Sequence, residues 1–208
     1  HTDAHCGALG AGASREGDYV LILGTSSCGH LISRKSASVP GVTGAISDGL
    51  LPGYICYSAG QASVGDMLSW MIQNAVPGKY ADLAQAEGKN LYQFLENLAA
   101  AQRPGQCGLI ALDWFNGNRS ILANANLSGV LMGLTLESTP EDIYRALLDS
   151  IAFGHREIVD NFYASGLEIN RIILCGGIVN QSRLLPQILS DVLNRPVEIS
   201  VEPQATAL

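Results

Sequence analysis

The sequence is short of charge. Only 15% of its 208 residues are Asp, Glu, Lys or Arg, against 47% hydrophobic residues. That balance argues against a disordered chain and supports a well-buried globular core. Basic residues are the scarcer kind, 12 against 19 acidic, for a net charge of −7. An acidic chain with no basic stripe is poorly suited to general attraction to nucleic acid or to an anionic membrane. A phosphate ligand remains open, because backbone N–H groups can hold phosphate without any lysine. No apolar run reaches the length of a membrane span, and no signal peptide is visible. The cysteines (Cys6, Cys28, Cys56, Cys107 and Cys175) are odd in number and include no C-x-x-C pair. They suggest neither a zinc site nor a disulfide framework, and point toward the reduced thiols of a cytoplasmic protein. His5, His30 and His155 are far apart without ligand spacing, so no metal centre is expected from them. The chain opens on His1 rather than methionine and stops at Ala207-Leu208, and both ends read as cuts from a longer chain.

What is present reads as an α/β domain. The apolar run Tyr19–Leu23 enters the polar turn Gly24-Thr-Ser-Ser27, as a buried strand would. A Gly-, Ser- and Pro-rich stretch over 35–57 predicts loops and a hairpin. Helical spacing predicts helices over 64–75, with Met67, Leu68, Met71 and Ile72 on one face, and over 90–101. Leu109–Leu112 is a short strand candidate. The strongest helix signal covers 140–164, with Thr139 as N-cap, Pro140 first and Asp142 third. A strand over 171–174, the turn Cys175-Gly-Gly-Ile178, a helix over 183–193 and a strand over 196–201 follow. Strand, glycine turn and helix in repeated order mark the α/β class.

Three of these junctions could carry chemistry. Asp3 in Thr2-Asp-Ala-His5 is a carboxylate able to accept a hydroxyl proton, or a solvated side chain near a chain end. Gly24-Thr25-Ser26-Ser27 offers hydroxyls and successive N–H donors to an anion. It is no Walker A loop, since no Gly-Lys-Ser/Thr follows, and it could equally be a structural turn. Gly176-Gly177 would let a ligand approach a helix start, or simply make a tight connection. The segment 113–119, with Trp114 and Phe115 among amides, is either a substrate-facing loop or a polar turn anchored by one ring.

The order of the segments adds what no single one carries. Thr2-Asp-Ala-His5, Gly24-Thr-Ser26, Ala59-Gly-Gln-Ala-Ser-Val-Gly-Asp66, Leu112-Asp-Trp-Phe-Asn-Gly-Asn-Arg-Ser120, Cys175-Gly-Gly177 and Glu202-Pro-Gln-Ala-Thr-Ala-Leu208 together resemble the second half of an FGGY carbohydrate kinase. The segments 59–66 and 113–120 are similar to ribulokinases in particular. The resemblance implies an actin-like ATPase (ribonuclease H-like) fold, with residues 1–208 as the C-terminal, nucleotide-binding half of a two-domain sugar kinase. The N-terminal domain, carrying much of the phosphate site and sugar pocket, would be absent, and this chain alone would be inactive. Asp3 would be the catalytic base and would touch the sugar. Gly24, Thr25 and Ser26 would contact phosphate. Gly176, Gly177, Asn180 and Gln181 would form the adenosine motif, with Gly65, Leu68 and Ser69 on the adenine side. ATP with Mg2+ would be the cofactors, and no metal ligand would come from this chain. Ser58 stands where ribulokinases usually carry a sugar-binding glutamate. That departure leaves another pentulose or polyol open beside a ribulose-like ketopentose. A non-catalytic nucleotide- or sugar-sensing module on the same fold, and a homo-oligomeric state, are also open.

Overall fold

The computed structural model describes the backbone of residues 3–201 and the side chains of residues 5–201. Its centre is a six-stranded mixed sheet in the order β3-β4-β2-β1-β7-β8. Helix α1 (Asp3–Gly10) leads into β1 (Asp18–Leu23), β2 (Ser27–Ser33), β3 (Gly44–Ser47) and β4 (Ile55–Ala59). These strands pair antiparallel, with Leu21 opposite Gly29 and His30 opposite Ser58. Helices α2 (Gly65–Ala75), α3 (Lys79–Ala86) and α4 (Leu91–Ala100) follow. A small separate ribbon of β5 (Ile110–Leu112) and β6 (Val130–Met132) comes next. The chain then runs through α5 (Pro140–Ala164), β7 (Arg171–Cys175), α6 (Gly177–Gln181), α7 (Leu184–Leu193) and β8 (Glu198–Ile199). β7 joins β1 in parallel, and β8 joins β7 in parallel.

The period-two alternation of β1 sets the two layers. Tyr19, Leu21 and Leu23 face the larger core with Leu31, Tyr57, Ile172 and Leu174, under α2, α4, α5 and α7. Val20 turns to the other face and meets Ile32, Cys56, Ile173 and Cys175 beneath Ala8 and Ala13. Helix α1 therefore covers the face opposite the other helices. Helix α5 begins as its sequence predicts: the Asp142 carboxylate accepts hydrogen bonds from the Thr139 N–H (2.8 Å) and hydroxyl (2.9 Å). It buries Leu147, Ile151, Ile158 and Phe162 along one stripe.

Several elements depart from the sequence reading. Residues 27–33, of which the sequence reading covers only Ser27 as the end of a turn, form the second strand of the sheet, because Leu31 and Ile32 bury on opposite faces. The hairpin expected in 35–57 is present as β3 paired with β4, which runs on to Ala59. Helix α3 has a weak apolar pattern and buries only Tyr80 and Ala84. Leu109–Leu112 does form a strand over its last three residues, but outside the main sheet. The closing strand shrinks to Glu198–Ile199. No helix among the described residues is long and apolar enough to cross a membrane.

Candidate functional site

A cleft of about 300 Å³ opens between α2, α4, α6 and the start of α5. Gly65 and Leu68 form its α2 side, and Gly177, Ile178 and Gln181 its α6 side. That volume and this mix of an apolar floor with polar rims suit part of a small-molecule ligand. The two glycines after β7 do different things. Gly176 has φ +107°, and a Cβ there would run into the Leu23 carbonyl oxygen, so glycine is what lets β7 turn against the end of β1. Gly177, read from sequence as part of the turn, is instead the first residue of α6. A Cβ there would meet nothing within 4 Å. Its missing side chain leaves the cleft open.

Tyr92, Gln93 and Glu96 of α4 and Tyr144 of α5 complete the wall. The sequence displays the apolar stripe of α4 more plainly than this face, where spacings of four and three residues set Tyr92 and Gln93 beside Glu96. Gln93 closes a capping box with Asn90, which accepts from the Gln93 N–H at 2.9 Å. Glu96 accepts from the N–H groups of Arg183 (2.7 Å) and Leu184 (3.0 Å), tying α4 to the start of α7. Ser69 does not line the cleft; its hydroxyl accepts from the Gln73 amide at 3.0 Å.

The turn Gly24–Ser26 sits against the N-terminus of α2. The N–H of Gly65 donates to the Gly24 carbonyl (3.0 Å), and those of Val64 and Asp66 donate to the Thr25 carbonyl (2.9 and 3.2 Å). Thr25 is exposed and Ser26 half-exposed at the tip. The segments 59–66 and 113–120 brace this turn from behind. The Gln61 N–H donates to Ser27 Oγ at 2.8 Å, its carbonyl accepts from the Ser27 N–H at 3.0 Å, and its side-chain amide donates to the Ile151 carbonyl at 2.9 Å. Arg119 donates through one Nη2 to the carbonyls of Ser27 and of Gln61, the latter at 3.0 Å. Ser120 Oγ accepts from the Gly60 N–H at 3.2 Å. Asp113 is buried beside Gln61, and burial pushes its carboxyl up to about 6, partly offset by hydrogen bonds from its own backbone and the Gln61 amide. Phe115 lies 5.2 Å from the ring of Trp70, which anchors the 113–119 loop.

A second polar cluster lies on the α1 face of the sheet. The sequence gives His5, His30 and His155 no ligand spacing, and for the first two the fold overturns that separation. The ring centroids of His5 and His30 lie 4.8 Å apart with the planes tilted by 35°, because α1 packs against β1 and β2. His155 stays apart, fully buried in α5 near Arg119. Ser58 Oγ is 3.0 Å from His30 Nδ1, and Cys56 Sγ is 3.6 Å from the same nitrogen. Burial, reinforced by His5, lowers the His30 pKa to about 4, and burial raises that of the Cys56 thiol to about 11, so both are neutral near pH 7. Asp3 begins α1, and its side chain lies outside the described residues, as does the 202–208 motif.

The comparisons with known proteins agree with this architecture. The model of the FGGY family of carbohydrate kinases, C-terminal domain, matches residues 19–208. The whole chain is 44% identical to a ribulokinase of Halalkalibacterium halodurans and 43% identical to one of Anoxybacillus flavithermus. It spans 37% of the length of each of these relatives. A xylulose kinase from Rhodospirillum rubrum superposes with a TM-score of 0.83 at 29% identity, over 100% of this chain and 39% of that one. Plasmodium falciparum glycerol kinase with ADP shares the fold at a TM-score of 0.75 and 21% identity, over 99% of this chain and 39% of that one. Sequence and fold thus place this chain in the FGGY family of carbohydrate kinases, as a C-terminal domain of the actin-like ATPase fold.

Proposed function

We infer that this chain is the nucleotide-binding half of an ATP-dependent kinase that phosphorylates the terminal hydroxyl of a ketopentose, with an N-terminal domain closing over it. The observation that carries this reading is the cleft whose opening depends on Gly177, one helix away from the Gly24–Ser26 turn. Adenosine would pack on Leu68 and Ile178 between α2 and α6, and the phosphates would run toward Gly24, Thr25 and Ser26. Gly177 lines the cleft and has open space where a side chain would begin, which leaves room for such an occupant.

Asp3 would accept the proton of the attacking hydroxyl. Donors of the Gly24–Ser26 turn would steady charge on the transferring phosphoryl group. Closure of the two domains would keep water from competing with the sugar. Magnesium would accompany the phosphates and neutralise their charge. The one cluster of three metal-ligating side chains among the described residues offers nitrogen and sulfur, whereas magnesium takes oxygen. The sugar is ribulose-like on the ribulokinase similarity. The pairing of Ser58 with His30 favours a second reading, a different pentulose or polyol, because a short neutral hydroxyl already engaged by imidazole cannot replace a carboxylate.

The test is ADP formation by the full-length protein across a panel of ketopentoses and polyols. Sugar-dependent turnover on one or more ketopentoses is expected. Nucleotide binding with no turnover on any sugar would instead favour a sensing module. Residues 1–208 alone should give no useful turnover, and robust sugar-dependent ADP release from them would refute the two-domain reading.

A further inference from the structure

We propose that His5, His30 and Cys56 form a binding site for a single Zn2+ ion, which clasps α1 to the sheet. Each ligand comes from a different element: His5 from α1, His30 from β2 and Cys56 from β4. One donor atom from each lies within 4.8 Å of the other two. Zinc bonds of about 2.0 Å to nitrogen and 2.3 Å to sulfur put tetrahedral ligand atoms roughly 3.3–3.5 Å apart. Closing the site therefore takes a contraction of up to about 1.5 Å, within reach of a rotation of the half-buried His5 side chain.

Two further observations point the same way. His30 is 3% exposed, and its Nε2 is buried without a hydrogen-bond partner among the described residues, a state buried polar atoms rarely keep without a ligand or water. The donor set is two imidazoles and a thiol, which suits zinc and disfavours magnesium or calcium. On binding, the Cys56 S–H bond breaks, the proton leaves to solvent, and the sulfur lone pair forms the metal bond. Ser58 Oγ, 3.0 Å from His30 Nδ1, is placed to orient that ring or to approach the fourth coordination position.

The consequence is mechanical. Helix α1 begins at Asp3, so an ion bound two residues along the chain would fix that helix end over β2 and β4. The zinc claim stands on the cluster's geometry and does not depend on the kinase reading.

The experiment is titration of the chelator-treated full-length protein with Co2+, used as a spectroscopic probe for zinc. One equivalent should produce the visible bands of tetrahedral cobalt and a thiolate-to-cobalt charge-transfer band, both abolished by one equivalent of Zn2+. Cys56→Ser should remove the charge-transfer band and weaken binding by at least about tenfold. His5→Ala, on the half-buried helix, should weaken it similarly while leaving the melting temperature without metal unchanged. Cys175→Ser, a buried thiol outside the cluster, should change neither. No charge-transfer band in the unaltered protein, or a band that survives in Cys56→Ser, would overturn the site whether or not the protein phosphorylates a sugar.

Discussion

Replacing Gly176 and Gly177 one at a time should give opposite phenotypes. At Gly176 the backbone is left-handed (φ +107°), and an added Cβ meets the Leu23 carbonyl. A non-glycine residue there costs about 1–3 kcal/mol for the backbone alone. For a domain of this size each kcal/mol is worth about 2–4 °C. Gly176→Ala should therefore melt roughly 2–12 °C lower, with ATP affinity in the folded fraction largely kept. Gly177 has ordinary helical backbone and open space where its Cβ would be. Leucine there regains up to about 1 kcal/mol of helix propensity and exposes apolar surface, so the melting temperature should move little. Its side chain would instead project into the space between Leu68 and Ile178. If adenosine packs there, the Michaelis constant for ATP should rise at least about tenfold, or about 1.4 kcal/mol, with sugar affinity unchanged. Thermal melting and ATP titration of both variants in the full-length protein separate the two roles. A Gly177→Leu variant with an unchanged ATP response and a lowered melting temperature would defeat the assignment of the nucleotide to this cleft.

Asp113 has its folded-state pKa raised from 3.8 to about 6 by burial. The stabilisation it gives as a neutral acid is complete below about pH 4 and is lost as the pH rises through 6. The difference is about 3 kcal/mol, so Asp113→Asn should flatten the fall in denaturant stability between pH 4 and 7; a parallel fall in the variant would contradict the cause. Arg119→Met strips the guanidinium from the carbonyls of Ser27 and Gln61. It should cost about 2–4 kcal/mol of unfolding free energy and lower turnover through the loosened Gly24–Ser26 turn. An unchanged unfolding midpoint would show that the brace is dispensable.

Local signals were legible wherever one element carried its own instructions. The Tyr19–Leu23 run, the α5 start at Thr139, Pro140 and Asp142, and the Asn90 start of α4 all lie where the sequence indicates. Less legible was whatever depends on pairing across the chain. Ser27–Ser33 becomes a strand because β1 and β4 flank it, and nothing within Ser-Ser-Cys-Gly-His demands that. The approach of His5 to His30 arises only when α1 lies across β2, and a separation of 25 positions hides it. In the cleft, Gly65, Leu68, Gly177 and Gln181 were singled out from the family resemblance, whereas Tyr92, Glu96 and Tyr144 come from helices read for their apolar faces. The bracing role of Gln61 and Arg119 was equally hidden, since both act on backbone carbonyls that no motif names.

The most direct test of the kinase account is single-turnover phosphoryl transfer by the full-length protein and its Asp3→Asn variant, on the ketopentose that the unaltered protein turns over fastest. A positioned general base is worth at least about 100-fold. The variant should therefore transfer phosphate at least that much more slowly while binding ATP as tightly as before. Transfer at a near-normal rate would remove Asp3 from the chemistry and contradict the account.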